Sequence, residues 1–254
     1  MLNNEGVFFW REIVKPSVLI TGASGGIGRA VAKEISGSYS KMFLHYYSKK
    51  NETEILADEL SNSGISCKAV YADLSAEGGA EQLLSQTGTK LSSVVLISGS
   101  THYGLLQDMS QNELQKVITL NLTAPIEIVK SVIPHMISQR NGAIVAVTSI
   151  WGESGASCES VYSAAKGGMN TFIKAIAKEL GPNGIRANAV APGAVDTGML
   201  QDFTEDEIKD LIDQIPSGRL ARPEEIAGAV NFLLGSGSSY INGHILSVNG
   251  AWRT

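Results

Sequence analysis

A glycine-rich turn joins a short apolar strand to a helix near the start of the chain. Ser17 to Thr21 (SVLIT) is apolar and β-branched, and it runs straight into GASGGIGRAVAKEI, whose apolar spacing is helical. Glycines let the backbone approach a pyrophosphate, and the unpaired amides at a helix N-terminus bind anions. Gly22, Gly26 and Gly28 give G-x-x-x-G-x-G rather than the common G-x-G-x-x-G. Strand, turn and helix together predict a dinucleotide site.

Strand and helix patterns alternate along the rest of the chain. Short apolar runs predict strands, and apolar residues at helical spacing predict helices. The predicted strands are 42–47, 67–71, 93–97, a run ending at Ser149, 184–190 and 244–248, and the predicted helices include 52–60, 77–84, 110–137 and 223–234. This alternation is typical of an α/β fold. We predict a single Rossmann-type doubly wound parallel sheet of about seven strands with helices on both faces.

Polar residues stand at the carboxyl ends of several predicted strands, namely Thr21, Asp73, Ser98 and Ser149. Ligands of open parallel sheets bind in the crevice outside these ends. We therefore expect the site to lie at this edge of the sheet. The polar, loosely amphipathic segment 204–215 is predicted to cover the substrate as a mobile lid.

Composition limits the partners and the compartment. The 254 residues carry a net charge of −5 without a basic run, which argues against nucleic-acid and anionic-membrane partners. The apolar patch 7–10 is too short for a signal peptide or a membrane span. Cys67 and Cys158 lack metal-ligand spacing and are too few for a disulfide framework, which predicts no metal and a cytoplasmic location. No linker or repeat divides the chain, so we predict an extension at 1–16 and one domain at 17–254.

Tyr162 and Lys166 lie four residues apart on a predicted helix, thirteen residues after Ser149. That spacing places the phenol and the ammonium on one helix face. Free tyrosine titrates near pH 10, and a cation within about 4–6 Å lowers a phenol's pKa. We therefore expect a lowered pKa for Tyr162, suited to protonating a carbonyl oxygen, with Ser149 giving that oxygen a second hydrogen bond.

The end of the second predicted strand bears on the cofactor. An Asp or Glu about twenty residues after the glycines binds the ribose 2′-hydroxyl of NAD in such folds. Here the chain reads Tyr46, Tyr47, Ser48 and Lys49, without an acid. A neutral or basic strand end leaves room for a 2′-phosphate. This favours NADP(H) over NAD(H).

The glycine turn, Asn121, Ser149, Tyr162, Lys166 and the Pro-Gly turn of APGAVDTGM occur together and in order. In this respect the chain resembles the short-chain dehydrogenases/reductases over about 17–252. The resemblance implies that Tyr162 is the general acid and that Lys166 lowers its pKa and binds the nicotinamide ribose. Ser149 would polarise the carbonyl, and Asn121 would hold the water of a proton relay.

The same resemblance implies the cofactor contacts. They fall in the glycine turn, at the ends of the next three strands, on the Tyr-Lys helix and in the Pro-Gly turn. The residues are Gly22, Ser24, Gly26, Ile27, Gly28, Tyr46, Ser48, Asp73, Leu74, Gly99, Tyr162, Lys166, Pro192, Gly193, Val195 and Thr197. Asp73 and Leu74 would meet the adenine, and Val195 and Thr197 the carboxamide.

Two features depart from the family pattern. Leu96-Ile97-Ser98-Gly99 stands where the family usually has Asn-Asn-Ala-Gly, so side-chain roles there do not carry over. Gly25 stands where bacterial 3-oxoacyl-carrier-protein reductases commonly have an Arg that grips the 2′-phosphate. The second departure weakens the NADP prediction without reversing it.

Two substrate classes are suggested by the resemblance. The segments GRLARPEEIA and SYINGHILSVNGAW resemble 3-oxoacyl-[acyl-carrier-protein] reductases, in which positions matching Arg140 and Lys178 engage the acidic carrier protein. The segment SIWGESGASCE instead resembles the elongation factor P 5-aminopentanone reductases of Gram-positive bacteria. Glu153 and Glu159 in this region would suit an ammonium-bearing substrate, although both could simply face solvent.

Two further expectations concern the alternatives to catalysis and the assembly. A non-catalytic, cofactor-sensing regulator on the same fold is disfavoured, because Tyr162 and Lys166 are both intact. The resemblance implies a homotetramer in which the helices around Asn121 and Tyr162 pack between subunits. The helical pattern around Asn121 also contains Pro125, which predicts a distortion there.

Overall fold

Seven parallel strands form one sheet in the computed structural model, which describes residues 16–201 and 203–253. The order across the sheet is β3-β2-β1-β4-β5-β6-β7. The strands are β1 (Ser17–Thr21), β2 (Lys41–Tyr46), β3 (Ser66–Tyr71), β4 (Ser93–Leu96), β5 (Gly142–Val147), β6 (Ile185–Pro192) and β7 (Ile245–Val248). The predicted doubly wound α/β fold is confirmed. The division into an extension at 1–16 and a domain at 17–254 stays a prediction, because residues 1–15 lie outside the described part.

Helices cover both faces of the sheet. They are α1 (Gly26–Ile35), α2 (Lys50–Ser61), α3 (Gly79–Thr87), α4 (Gln111–Ile118), α5 (Ala124–Gln139), α6 (Trp151–Ser154), α7 (Ser160–Leu180), α8 (Glu205–Asp213) and α9 (Pro223–Leu234). Side chains of successive strand residues point to opposite faces, so each strand feeds two cores. Leu19 packs with α3, α5 and α7, whereas Val18 and Ile20 pack with α1, α2 and α9.

The helix predicted at 110–137 is interrupted around Asn121. A π-helical turn at Thr119–Thr123 separates α4 from α5, and Pro125 lies in the first turn of α5. The predicted distortion is therefore present, and it places the buried Asn121 side chain inside the turn. The stretch 111–139 is long and apolar enough to cross a membrane, a test that core helices of soluble proteins also pass. Its buried residues, including Ile128 and Val132, pack into the core beside the sheet.

The chain changes direction across the sheet between β1 and β4. β2 and β3 add to one side of β1, and β4 starts the other side. Thr21, at the end of β1, holds the segment after β4 because its Oγ1 accepts hydrogen bonds from the amides of Ile97 at 3.0 Å and Ser98 at 3.1 Å. In doubly wound folds a ligand crevice opens at this switch point.

Candidate active site

A cavity of about 500 Å³ opens at the carboxyl edge of the sheet. Its wall comes from the segments that follow β4, β5 and β6, from α7, from the region around α8 and from the chain after β7. It is mostly apolar; the lining includes Ile97, Tyr103, Val147, Ile150, Trp151, Leu200, Phe203, Leu211 and Trp252. The segment predicted to cover the substrate at 204–215 contributes Leu211 and Gln214. Its mobility stays a prediction.

Ser149, Tyr162 and Lys166 converge on this cavity, and all three line it. The side chains of Ser149 and Tyr162 are hydrogen bonded to each other. Ser149 Oγ also accepts a hydrogen bond from the Trp151 amide at 3.1 Å, which fixes the serine at the start of α6. Lys166 Nζ lies 5.6 Å from the centre of the Tyr162 ring and donates to the Val147 carbonyl at 3.1 Å. The structure thus joins three residues that sequence spacing had placed on two separate elements.

The expected lowering of the Tyr162 pKa is wrong. Burial raises the pKa of Tyr162 to about 12, although the Ser149 hydrogen bond lowers it, and the nearby Glu159 raises it further. Burial also lowers the pKa of Lys166 to about 8, because the charged form is disfavoured away from water, yet the lysine still carries its charge at neutral pH. The phenol therefore keeps its proton at neutral pH, as a proton donor must.

Asn121 presents an unpaired oxygen beside this group. Its Nδ2 donates to the carbonyls of Ser100 and Val117, both at 2.9 Å, while the buried Oδ1 has no partner. A Cβ at Gly99 would lie 2.7 Å from Asn121 Oδ1 and 3.3 Å from Lys166 Nζ. Gly99 therefore keeps open a small polar space between the two side chains. Buried acceptors in proteins are normally hydrogen bonded, so Asn121 Oδ1 is suited to accept from a water or a ligand group.

The glycine turn after β1 fits a dinucleotide. Gly28 is required for close approach, because a Cβ there would lie 2.1 Å from the Gly22 carbonyl oxygen. Gly22 itself has φ +67°, and a Cβ would meet the Ser98 amide nitrogen at 2.9 Å. The turn consequently brings the N-terminus of α1 to the crevice, where Gly26 lies against the Thr197 side chain. A glycine-rich helix N-terminus at a crevice is the arrangement that a pyrophosphate needs.

The predicted cofactor residues are distributed along the crevice. Eight line the cavity: Ile27, Gly99, Tyr162, Lys166, Pro192, Gly193, Val195 and Thr197. The others, Gly22, Ser24, Gly26, Gly28, Tyr46, Ser48, Asp73 and Leu74, lie in the glycine turn or at the ends of β2 and β3. Leu74 is only 2% exposed and belongs to the core, so its side chain is not accessible to a ligand. Asp73 Oδ1 accepts hydrogen bonds from the amide and hydroxyl of Ser75.

His45 on β2 is a site residue that sequence reasoning missed. It is 3% exposed, and its Nδ1 accepts a hydrogen bond from the Gly22 amide at 3.0 Å. The ring thus holds the first glycine of the turn. A histidine at the end of a strand carries no motif, and its place next to Tyr46 in the sequence was the one available signal.

Charge in the cavity is concentrated on few side chains. Among the described residues that line it, Glu159 is the only acid, and Lys166 and Arg253 are the bases. Glu159 accepts a hydrogen bond from the Thr101 hydroxyl, which orients the carboxylate near Tyr162. Glu153 lies on α6, is exposed and does not line the cavity. Of the two glutamates considered from the sequence, the structure places Glu159 at the cavity.

Two tryptophans pair on the wall of the cavity. Trp151 and Trp252 make an edge-to-face pair with ring centres 5.1 Å apart, and the Arg253 guanidinium lies over the Trp151 ring at 5.4 Å. The residues after β7 thereby complete the cavity beside α6. The aromatic pair provides a rigid apolar surface for a substrate.

Known proteins resemble this chain in sequence and in fold. A family model described as enoyl-(acyl carrier protein) reductase matches residues 22–252. The chain is 48% identical over 238 residues to the uncharacterized oxidoreductase YmfI of Bacillus subtilis, covering 93% of this chain and 98% of that protein. It is 33% identical over 237 residues to the 3-oxoacyl-[acyl-carrier-protein] reductase FabG of Staphylococcus epidermidis, covering 92% and 97%.

A solved structure agrees with these matches. The 3-oxoacyl-[acyl-carrier protein] reductase from Brucella melitensis superposes with a TM-score of 0.85 at 27% identity, covering 94% of this chain and 92% of that one. The family match spans both the glycine turn and the Tyr162–Lys166 helix. The chain therefore belongs to the short-chain dehydrogenase/reductase family and is an NAD(P)-dependent oxidoreductase acting on CH–OH or C=O groups.

Proposed function

We propose that this protein reduces a ketone to a secondary alcohol with NADPH. The observation that carries the proposal is the meeting of Ser149, Tyr162 and Lys166 at the wall of one cavity, with the phenol hydrogen bonded to Ser149. A bound NADPH would supply the hydride. Tyr162 would give its proton to the carbonyl oxygen, and Ser149 would hold that oxygen through a second hydrogen bond.

Lys166 and Asn121 would support the proton donor. Lys166 Nζ borders the polar space at Gly99 that Asn121 Oδ1 also faces. A water in that space would accept from the lysine or donate to the asparagine oxygen, and it could restore the phenol's proton through Lys166. Lys166 would also bind the ribose of the nicotinamide nucleotide, so one residue serves both chemistry and cofactor binding.

The preference for NADPH is proposed from the end of β2. Tyr46 is 9% exposed and packs against Tyr71 with ring centres 5.8 Å apart, while Ser48 and Lys49 follow as exposed residues. No carboxylate stands there to repel a 2′-phosphate or to accept from a 2′-hydroxyl.

We expect Tyr46→Asp to reverse the cofactor preference. The new carboxylate would repel the 2′-phosphate of NADPH and accept from the 2′-hydroxyl of NADH. The measurement is kcat/KM for each cofactor, whose NADPH-to-NADH ratio should lie above one in the native protein and below one in the variant. Tyr46→Asn is the control, because it loses the tyrosine packing without adding charge and should keep the preference. Equal efficiencies in the native protein would contradict the argument.

The substrate we propose carries an ammonium group. Glu159 is the acid at the cavity, it is half-buried, and Thr101 orients it. A partly desolvated carboxylate gains by pairing with a cation, whereas an apolar acyl chain leaves it unpaired. Arg253 lies over the Trp151 ring, so its charge is engaged at the tryptophan wall.

Glu159→Gln is expected to raise KM for an amino-ketone about tenfold and to leave a neutral ketone of equal length nearly unaffected. An exposed ion pair is worth roughly 0–1 kcal/mol, and partial burial raises this to about 1.4 kcal/mol, which is a factor of about ten. Steady-state kinetics on both ketones provide the test. Glu153→Gln is the matched control, since this exposed glutamate does not line the cavity. Equal KM changes on both ketones would argue for a general defect instead of charge recognition.

The natural substrate we favour is 5-aminopentanone-modified elongation factor P. The resemblance of SIWGESGASCE to reductases of that group supports it, together with the position of Glu159. The second candidate, a 3-oxoacyl group on acyl carrier protein, is supported by the relatives named as such reductases. Offering purified protein and NADPH each substrate in turn distinguishes the two. Turnover of the carrier-protein substrate alone would overturn the first choice.

Two basic residues bear on the carrier-protein alternative. Arg140 caps the C-terminus of α5 just before β5, and Lys178 lies in the last turn of α7. Both positions belong to the edge of the sheet opposite the strand ends that form the cavity. Neither side chain lines the cavity, so within one chain neither would meet a carrier docked at its mouth.

The assembly and location complete the proposal. We propose a cytoplasmic homotetramer in which the helices around Asn121 and Tyr162 pack between subunits. Partly buried apolar side chains, including Leu120, Leu122 and Phe172, lie on these helices beside the core and support such packing. Light scattering of the purified protein would measure the oligomeric state.

A further inference from the structure

His45 joins three strand ends around the glycine turn. Its Nδ1 accepts from the Gly22 amide at 3.0 Å, and the Ser98 hydroxyl lies 3.4 Å from the same nitrogen. Its Nε2 lies 3.0 Å from the Ala72 carbonyl oxygen. The ring is buried, so these groups, from the ends of β1, β3 and β4, replace water around it.

These contacts allow one protonation state. A carbonyl oxygen can only accept, so Nε2 must carry the hydrogen that it donates to Ala72. An amide N–H can only donate, so Nδ1 must be bare to accept from Gly22. The backbone of His45 makes a second contact with the glycine turn, since its carbonyl accepts a hydrogen bond from the Ala23 amide at 2.9 Å. His45 thus holds two consecutive amides of the turn, one with its ring and one with its backbone.

We propose that neutral His45 is a positioning residue for cofactor binding, which sets the glycine turn for the pyrophosphate. The turn's amides bind an anion only when their directions are fixed, and Gly22, with φ +67°, has no side chain to fix it. The inference rests on the dinucleotide site of the proposed function but not on its preference for NADPH or on its substrate. The pyrophosphate is common to NADP⁺ and NAD⁺, so His45 should affect both alike.

The proposal predicts a pH dependence with a defined sign. Burial lowers the pKa of His45 below its ordinary value of 6.5, against smaller raising effects of the Ala72 hydrogen bond and the Asp73 charge. The ring is therefore neutral above pH 6.5, and it gains a second proton only as the pH falls through the lowered pKa. Protonated Nδ1 would point a hydrogen at the Gly22 amide and displace the turn. Cofactor affinity should hold above pH 6.5 and fall below it.

A matched pair of variants separates the two ring contacts. Asn places its Oδ1 where Nδ1 lies, so His45→Asn keeps an acceptor for Gly22 and loses the contact to Ala72. Gln reaches further, so His45→Gln keeps a donor for Ala72 and leaves the half-buried Gly22 amide without its acceptor. The loss of this contact makes the expected loss of affinity for NADP⁺ and for NAD⁺ about tenfold in His45→Gln. His45→Asn should stay within about threefold.

Tryptophan fluorescence provides the titration, since Trp151 and Trp252 line the cavity. As the pH falls below 6.5 through the lowered pKa of His45, the native affinity should fall relative to that of His45→Asn, which has no titrating ring. Comparing the proteins with the same ligand cancels the titration of the NADP⁺ 2′-phosphate near pH 6. Equal affinities of the two variants at pH 7.5 would overturn the proposal. Parallel pH profiles of native protein and His45→Asn, down to the pH at which nitrogen-15 NMR shows His45 protonated, would overturn it as well.

A measurement on the native protein does not depend on variants that fold. Nitrogen-15 NMR of the histidine ring should show the Nε2–H tautomer of His45 in the free protein at pH 7.5. An Nδ1–H tautomer would overturn the proposal even if every variant failed to fold. Failure of the native protein to bind either nucleotide would overturn the proposed cofactor, a result separate from the tautomer. If the native protein bound NADP⁺ and NAD⁺ equally well, the proposed preference for NADPH would be wrong, but the predicted effect of His45 on both nucleotides would stand.

Discussion

Tyr162→Phe is expected to lower turnover by roughly 10²- to 10⁴-fold, the range of a general acid's contribution. The phenyl ring keeps the packing of the buried side chain but has no proton to give and no hydrogen bond to Ser149. The cofactor contacts proposed for Lys166 and the glycine turn are untouched. Binding of NADPH, followed by fluorescence, should therefore stay within about threefold of the native value.

Tyr39→Phe is the matched control for this experiment. Tyr39 is a half-buried tyrosine whose hydroxyl also makes a hydrogen bond, to Ser93 Oγ at 2.8 Å, but it does not line the cavity. It should lose stability by about 1 kcal/mol, as expected for one hydrogen bond, and keep its turnover. If Tyr162→Phe retained near-normal turnover, or if both variants lost activity equally, Tyr162 would not be the proton donor.

The fold could be predicted from the sequence because each signal was local. Strand runs such as Ser17–Thr21 are short and β-branched, and the helices between them carry apolar residues at helical spacing. The boundary errors lie at element ends. β6 runs to Pro192 instead of 190, since the strand continues into the Pro-Gly turn while it pairs with β7.

Much of the candidate site could be predicted for the same reason. Ser149 stands at a strand end, and Tyr162 and Lys166 share one helix face, so the sheet alone brings them to one edge. Asn121 and Pro125 predicted a distortion of the helix, but they did not predict that it is a π-helical turn at Thr119–Thr123. At that turn the Val117 carbonyl accepts a hydrogen bond from the Asn121 side chain, a contact that the sequence does not reveal.

What the sequence could not supply depends on burial and on distant contacts. The direction of the Tyr162 pKa follows from the loss of water around the ring, which spacing along a helix does not reveal. His45 matters through Gly22 and Ala72, which are 23 and 27 residues away in the chain. Glu153 and Glu159 look alike in sequence, and only the turn between α6 and α7 turns Glu159 toward the cavity.

Lys166→Met should lower turnover by about 10²-fold or more and weaken NADPH binding, because removing Nζ removes the partner proposed for both the proton donor and the ribose. The same change should make the folded protein more stable at pH 7. The pKa of Lys166 lies at about 8 in the fold, against an ordinary 10.5. A difference of that size corresponds to about 3 kcal/mol of free energy of unfolding lost when the buried group is charged.

The sign of the stability effect sets its pH window. Above pH 10.5 Lys166 is neutral in both the folded and the unfolded protein, so its burial does not lower the free energy of unfolding. As the pH falls from 10.5 through about 8 the folded protein must hold a buried charge, and the free energy of unfolding falls. Lys166→Met has no such titration, so its advantage in denaturant unfolding should be largest below pH 8 and shrink toward pH 10.5. Tyr162 titrates in both proteins and cancels in the comparison.

Lys174→Met is the control on the same helix. Lys174 is exposed, two turns beyond Lys166, and its loss should change neither turnover nor the free energy of unfolding by more than about 0.5 kcal/mol. A Lys166→Met protein that is both inactive and less stable than the native one would mean that the lysine is a structural residue held by Val147. An inactive but more stable protein would mean that the fold keeps a costly buried cation for its chemistry, as the proposed mechanism requires.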